Sequence, residues 1–153
     1  MRKLISLISQ DDDTGCGIAC VAMLSGVSYK EAKLKLFRLM QWTDRRINLR
    51  TRACDLRKLS QSFNLKPVIR SFSGWDNIDG CAIIGIRRSK RSSKRNFHWV
   101  VTLKTPHAFL ILDPEYGDVF QGEAWAEDEG WFIGRKSSQY LSFPNLTFSG
   151  IKI

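Results

Sequence analysis

The sequence predicts an α+β fold, with its helices first and its strands second. Up to Phe63 the apolar residues recur at the three- and four-residue spacing of helices, whereas beyond Pro67 they gather into short runs of Val, Ile, Leu and Phe bounded by turn residues. Helices and strands do not alternate, so the expected architecture is a set of N-terminal helices packed on an antiparallel β-sheet rather than a series of βαβ units. No internal repeat and no Gly/Ser- or Pro-rich linker interrupts the 153 residues, which are read as a single domain over 1–153.

Residues 3–9 are a short apolar stretch, read as an edge segment leading to Gln10. Residues 16–25 are small and mostly apolar, and Gly26 is a natural stop, so a buried helix is expected there. Ser28 and Glu31 form a capping-box pair, and Ala32, Leu36, Leu39 and Met40 keep helical spacing behind them, which gives a second helix to about Gln41. Thr51 is read as the cap of a third helix with Leu56, Leu59 and Phe63 along one stripe, ended by Asn64 before Pro67. Strands are expected at 67–72, 81–88, 98–103 and 108–113, and shorter ones at 119–120, 131–133, 140–143 and 147–153.

Composition limits the function classes. The apolar stretch of the opening MRKLISLISQDDD is short and runs into three aspartates, unlike a secretory signal, and no apolar run approaches the roughly 18 residues that a transmembrane helix needs. A soluble chain is expected. The formal charge of +9 and pI of 9.7 invite a nucleic-acid reading, but much of the excess is local: 87–95 (RRSKRSSKR) holds six basic residues and no apolar one. It lacks the aromatic rings that single-strand binders interleave with charge, so a solvated surface loop is the first reading and an acidic partner, membrane surface or nucleic acid the second.

Four cysteines, Cys16, Cys20, Cys54 and Cys81, lack the spacing of a disulfide framework and are read as reduced thiols. With no CxxC pair and with His98 and His107 both distant in sequence from them, a structural zinc site is not expected. Trp125, Trp131 and Phe132 flank the acidic stretch 123–129, where core packing is a stronger expectation than a peptide groove. Asp11, Asp12 and Asp13 read as a polar turn into the first helix rather than a cation loop, which needs a longer alternation of oxygen ligands.

The chemistry gathers around Cys16. A cysteine in the first turn of a helix lies beside unpaired backbone N–H groups and the positive end of the helix dipole, both of which favour a thiolate, and Gly15 and Gly17 permit a substrate to approach closely. The same cysteine also suits a merely buried position in an apolar helix. A base is needed, and His98 opens the strand HWVVTL. If 104–107 form a four-residue hairpin loop, Leu103 pairs with Ala108 and His98 stands opposite Asp113, whose carboxylate would orient and charge the imidazole. A one-residue shift of that register would turn the two to opposite faces. Gln10, upstream of the thiol, carries an amide able to donate to a developing oxyanion, with the Cys16 N–H as second donor; its alternative is an ordinary surface amide.

Taken together, Gln10, the segment GCGIACVAML at 15–24, His98-Trp99-Val100-Val101 and Asp113-Pro114 resemble peptidase family C39 of the papain-like superfamily, over about residues 5–120. In that family a Gln precedes a CGxAC segment, an HxVV strand carries the base and a DP turn carries the acid. LRKLSQSFNLKP also looks like the helix that precedes the family's strands. The resemblance implies a papain-like cysteine peptidase fold, with Cys16 as nucleophile, His98 as general base and acid, Asp113 as orienting carboxylate and Gln10 as oxyanion donor, acting on a peptide or protein substrate without a cofactor and in a reducing compartment. Its best-known members process leader peptides in bacterial exporters. No transporter segments follow in this sequence, which directs the expectation to a free-standing effector or toxin domain, with an inhibitory or immunity protein as a partner. Gly15 departs from the family, which has Asp there. The same triad would also serve acyl transfer or deamidation, and the alternative from another class is a catalytically silent module that binds peptides or nucleic acid.

Overall fold

In a computed structural model, which describes residues 3–88, 98–122, 131–132 and 139–153, three helices pack on one face of an antiparallel sheet. The helices are α1 (Cys16–Ser25), α2 (Tyr29–Met40) and α3 (Ala53–Ser62). The strands are β1 (Lys3–Ser6), β2 (Val68–Ser71), β3 (Gly80–Arg88), β4 (His98–Thr105), β5 (Ala108–Asp113), β6 (Asp118–Gln121), β7 (Trp131–Phe132), β8 (Gln139–Phe143) and β9 (Phe148–Lys152). The main sheet runs in the order β2-β8-β3-β4-β5-β6, with β7 beside the far end of β3. The α+β class read from the sequence is observed, and the helices precede every strand of the main sheet, while β1 comes before them.

Each helix is set by a local cause. α1 is apolar on all sides and is buried from Gly17 to Leu24, as a helix clamped between a sheet and two other helices must be. Gly26 ends it in the left-handed conformation (φ 73°), and its N–H returns to the Ala22 carbonyl at 2.9 Å. Ser28 caps α2 by accepting the Glu31 N–H at 3.1 Å, and Gln41, at φ 55°, closes it. Within α2, Ala32 and Leu36 are buried and Met40 packs against the core, but Leu39, at the margin of that stripe, is 43% exposed. α3 begins one residue later than the sequence suggested. Its first turn is closed by Asp55, whose carboxylate accepts the Arg52 N–H at 2.8 Å, while Thr51 is turned inward and buried. Asn64 then takes a positive φ of 66° just past the end of the helix.

Strand alternation divides the apolar residues between two cores. Cys81, Ile83, Trp99, Val101, Leu103 and Leu112 face the helices, while Ala82, Ile84, Ile86, Val100 and Ile111 face the opposite side, where Phe72, Trp75 and Ile78 cover them. Burial on both faces explains why β3 and β4 read as continuous apolar runs rather than as alternating ones. The β4–β5 turn is tighter than the four residues expected. Thr105 pairs with Ala108, and its hydroxyl accepts the N–H groups of His107 and Ala108, so Lys104 and Thr105 belong to the strand and only two residues turn the chain. Val101 therefore pairs with Leu112, and Asp113 comes beside Val100 rather than His98. The displacement is of two residues, an even number, so His98 and Asp113 still share a face.

The stretch 3–9 shortens to β1, which pairs in parallel with β9. No helix among the described residues is long and apolar enough to cross a membrane. The run 89–95, the acidic stretch 123–129 with Trp125, and Ile133 lie outside the described residues, as do the side chains of Arg87, Arg88, Trp131 and Phe132.

Candidate active site

Cys16 is the first residue of α1, and its sulfur is held from the sheet side. The backbone N–H of Trp99 donates to Sγ at 3.4 Å, joining positions 83 residues apart in sequence. The two glycines around it are required by packing rather than by φ. A Cβ at Gly17 would lie 2.5 Å from the Thr51 hydroxyl and 2.9 Å from a Leu56 methyl. A Cβ at Gly15 would run into the Tyr29 hydroxyl. That hydroxyl donates to Asp12 at 2.7 Å, and Lys33 pairs with the same carboxylate at 3.0 Å. Burial works against the charge on Asp12, but the Tyr29 and Lys33 bonds outweigh it and hold the carboxyl below its ordinary range. The space an aspartate would need at position 15 is thus taken by Tyr29. Asp12 is the fastened member of the acidic turn, whereas Asp11 and Asp13 are exposed.

His98 and Asp113 form a buried couple, with His98 8% exposed and Asp113 fully enclosed. Nε2 of the ring lies 2.6 Å from Oδ1 of Asp113. The carboxylate is itself placed by the turn after β5: the Glu115 N–H donates to the same oxygen at 2.9 Å, and the Gly117 N–H returns to the Asp113 carbonyl at 2.9 Å. Burial disfavours charge on the imidazole, but hydrogen bonds to Asp113 and to Cys16, with the charges of both, win and raise its pKa from 6.5 to about 10. With Nε2 given to Asp113, Nδ1 is the ring atom left for the sulfur. Cys16, His98 and Asp113 are thereby brought into one line of contacts.

Gln10 is fastened beside this line without joining it. Its backbone N–H donates to the Pro114 carbonyl at 2.9 Å, which ties it to the residue after Asp113. Its side-chain Nε2 donates to the carbonyls of Asp12 and Asp13, both at 3.0 Å, and its Oε1 is buried without a partner among the described residues. The sequence reading missed the Trp99 backbone N–H and the Glu115 N–H, because backbone donors leave no residue signature.

Among the described residues, His98, Asp113 and Glu115 are the one group whose ligand atoms all lie within 4.8 Å of one another. Asp113 already accepts two hydrogen bonds through Oδ1, and the raised pKa of His98 keeps a proton where a metal would need a lone pair, so the group fits a proton-holding couple better than a metal site. The other cysteines serve no such arrangement. Cys20 is fully buried and its thiol is pushed well up, by burial first and then by the charges of Cys16 and Asp113; burial raises Cys81 to about 11. An open groove of about 410 Å³ lined by Asn64, Leu65, Lys66, Phe143, Asn145 and Leu146 includes none of the site residues.

No protein-family model matches the chain, and no curated protein matches it. Among solved structures it is similar to the peptidase domain of Streptococcus ComA, a bi-functional ABC transporter involved in a quorum-sensing pathway. The two share 17% identity with a TM-score of 0.54, over 89% of this chain and 95% of that domain. The chain thus has the fold of that peptidase domain, with three helices laid on an antiparallel sheet.

Proposed function

We propose that the protein is a cysteine peptidase in which Cys16 is the nucleophile, His98 the general base and acid, Asp113 the carboxylate that orients it and Gln10 a donor to the oxyanion. The observation that carries this reading is the buried His98 ring, held 2.6 Å from Asp113 and hydrogen-bonded to Cys16. The sulfur attacks a peptide carbonyl, and the C–N bond breaks as Nδ1–H of His98 passes its proton to the leaving amine. The neutral ring then takes a proton from water, the water oxygen attacks the thioester, and cleavage of the C–S bond returns Cys16 with the ring protonated. Negative charge returning to the sulfur in that last step is met by the Trp99 N–H and the positive end of α1.

The carbonyl oxygen is received by the N–H groups at the first turn of α1, which have no acceptor within the helix. Gln10 adds a donor by exchanging one of its bonds to the Asp12 and Asp13 carbonyls for the oxyanion. Substrates are peptides or proteins, and no cofactor takes part. The reading extends to an effector delivered into another cell's reducing interior.

The test is a thiol-directed activity probe combined with proteome-wide detection of new N-termini. Labelling at Cys16 together with new termini, both lost in Cys16→Ala by at least about ten-thousandfold in rate with the fold retained, is the expected result. Full activity in Cys16→Ala overturns the reading. Intact targets shifted by about one mass unit assign the same triad to deamidation instead.

A further inference from the structure

Residues 43–52 link α2 to α3 through a turn at 44–45 and a stretch without regular secondary structure, and they carry four exposed arginines, Arg45, Arg46, Arg50 and Arg52, against one aspartate. Ile47, between them, is 88% exposed. Arg46 is held in place: its guanidinium lies 4.1 Å from the centre of the Trp42 ring and its Nε donates to the Asn48 carbonyl at 2.8 Å. Arg52 touches Asp55 at 3.5 Å while its side chain stays 79% exposed. Neither Arg45 nor Arg50 meets a carboxylate among the described residues. An ordinary connection between two helices does not need so much unneutralised charge around an apolar tip.

The underside of this segment is fastened to both halves of the candidate active site. Thr14, two residues before Cys16, donates its hydroxyl to the Ile47 carbonyl at 3.2 Å and accepts the Leu49 N–H at 2.8 Å. The indole N–H of Trp99, the residue after His98, donates to the Thr51 carbonyl at 3.2 Å. Leu49 and Thr51 are buried, at 2% and 9% exposure, so the segment lies against the site with its arginines turned out. On the other side of Thr14 the chain carries the exposed Asp11 and Asp13, and the charge changes sign across that contact.

We propose that segment 43–52 is the substrate-selecting surface of the site, and that it takes polypeptides carrying acidic side chains next to an apolar residue. The inference deepens the peptidase reading and rests on it. A guanidinium grips a carboxylate through two parallel hydrogen bonds, so several exposed arginines in series give direction as well as attraction, and they hasten encounter with acidic chains. Asp11 and Asp13 across the Thr14 contact disfavour an acidic stretch there, which sets the direction in which such a chain lies. Nucleic acid would meet the same positive charge. A polypeptide is favoured because the segment is anchored to the cysteine- and histidine-bearing elements and because Ile47 presents an apolar contact among the arginines, whereas the ring of Trp42 is already stacked by Arg46.

The experiment uses two fluorescent synthetic peptides of equal length, one with glutamates flanking a leucine and the other with glutamines in their place. Binding to the Cys16→Ala protein is measured first, then cleavage by the wild type and by the double variant Arg45→Glu/Arg50→Glu. We expect the glutamate peptide to bind at least about tenfold more tightly, to lose that advantage in added salt, and to lose at least about tenfold in kcat/KM, through KM, in the double variant. Labelling of Cys16 by an uncharged thiol probe should be unchanged in that variant, which also reports that it is folded. Equal binding of the two peptides overturns the proposal. So does stronger binding of a single-stranded oligonucleotide that the double variant abolishes, which assigns the surface to nucleic acid. Glutamate-selective binding without any cleavage leaves the surface as proposed and removes the peptidase reading, so the two fail separately.

Discussion

The candidate site is assembled from two regions built on opposite plans. At the head of α1, position is created by leaving side chains out: Gly15 makes room for the Tyr29 hydroxyl, Gly17 makes room for Thr51 and Leu56, and backbone N–H groups do the bonding around the sulfur. At the ends of β4 and β5, position is created by putting charge in. An enclosed carboxylate and an almost enclosed imidazole hold each other at 2.6 Å, with a backbone N–H fixing the carboxylate. The first region is sensitive to added volume, while the second should answer to pH.

Asp113→Asn breaks the charged region most directly. The ring loses its counter-charge while an acceptor oxygen remains, and peptidase activity should fall roughly a hundredfold. Stability should change its dependence on pH as well. The folded pKa of His98, about 10, lies above its ordinary value of 6.5, so the protonated ring favours the folded protein; that contribution is whole below pH 6.5 and is lost as pH rises through about 10. Thermal melts of the wild type should therefore weaken across that alkaline window, and the decline should be much smaller in Asp113→Asn. Equal slopes would remove the couple from the account of stability.

Gly17→Ala sharpens the other side of the comparison. The new methyl meets the Thr51 hydroxyl and a Leu56 methyl inside ordinary contact distance, so denaturant unfolding should show a loss of about 1–3 kcal/mol, equal at pH 6 and pH 9. A neutral substitution would mean that the crowding is relieved by small shifts and that Gly17 is not structurally required. The smallest effect is expected outside both regions. Leu39→Ala should cost no more than about 0.5 kcal/mol, because that side chain is already 43% exposed, and a larger cost would indicate a partner covering the end of α2.

The contrast also explains which parts were legible in the sequence. Caps and stops are local, so Ser28 with Glu31, Gly26 and Asn64 marked helix ends correctly, and β-branched runs marked the strands. Leu39 kept helical spacing without reaching the core, since spacing does not tell the centre of an apolar stripe from its margin. The β4–β5 turn was misjudged because the Thr105 hydroxyl closes it with two residues, a contact that residue type alone does not announce. Asp55 took over the cap expected at Thr51 for a similar reason, because the inward turn of Thr51 depends on Gly17, far away in the chain. Within the site the side-chain participants were visible as residue types, whereas Trp99 and Glu115 act through main-chain N–H groups and Tyr29 through a space that Gly15 leaves empty.

The parallel pairing of β1 with β9 has a bearing on when the site can come into being. Residues 7–15, which carry Gln10 and the acidic turn up to Cys16, continue from β1, and the Leu7 N–H is bonded to the Lys152 carbonyl at 2.9 Å. Because β9 is the last strand in the chain, the residues that bear the thiol and the imidazole are synthesised well before the β1–β9 pairing that fastens the segment leading to Cys16 can form. The segment leading to Cys16 therefore gains its anchor to β9 only once residue 152 has been synthesised, late relative to the helices it joins.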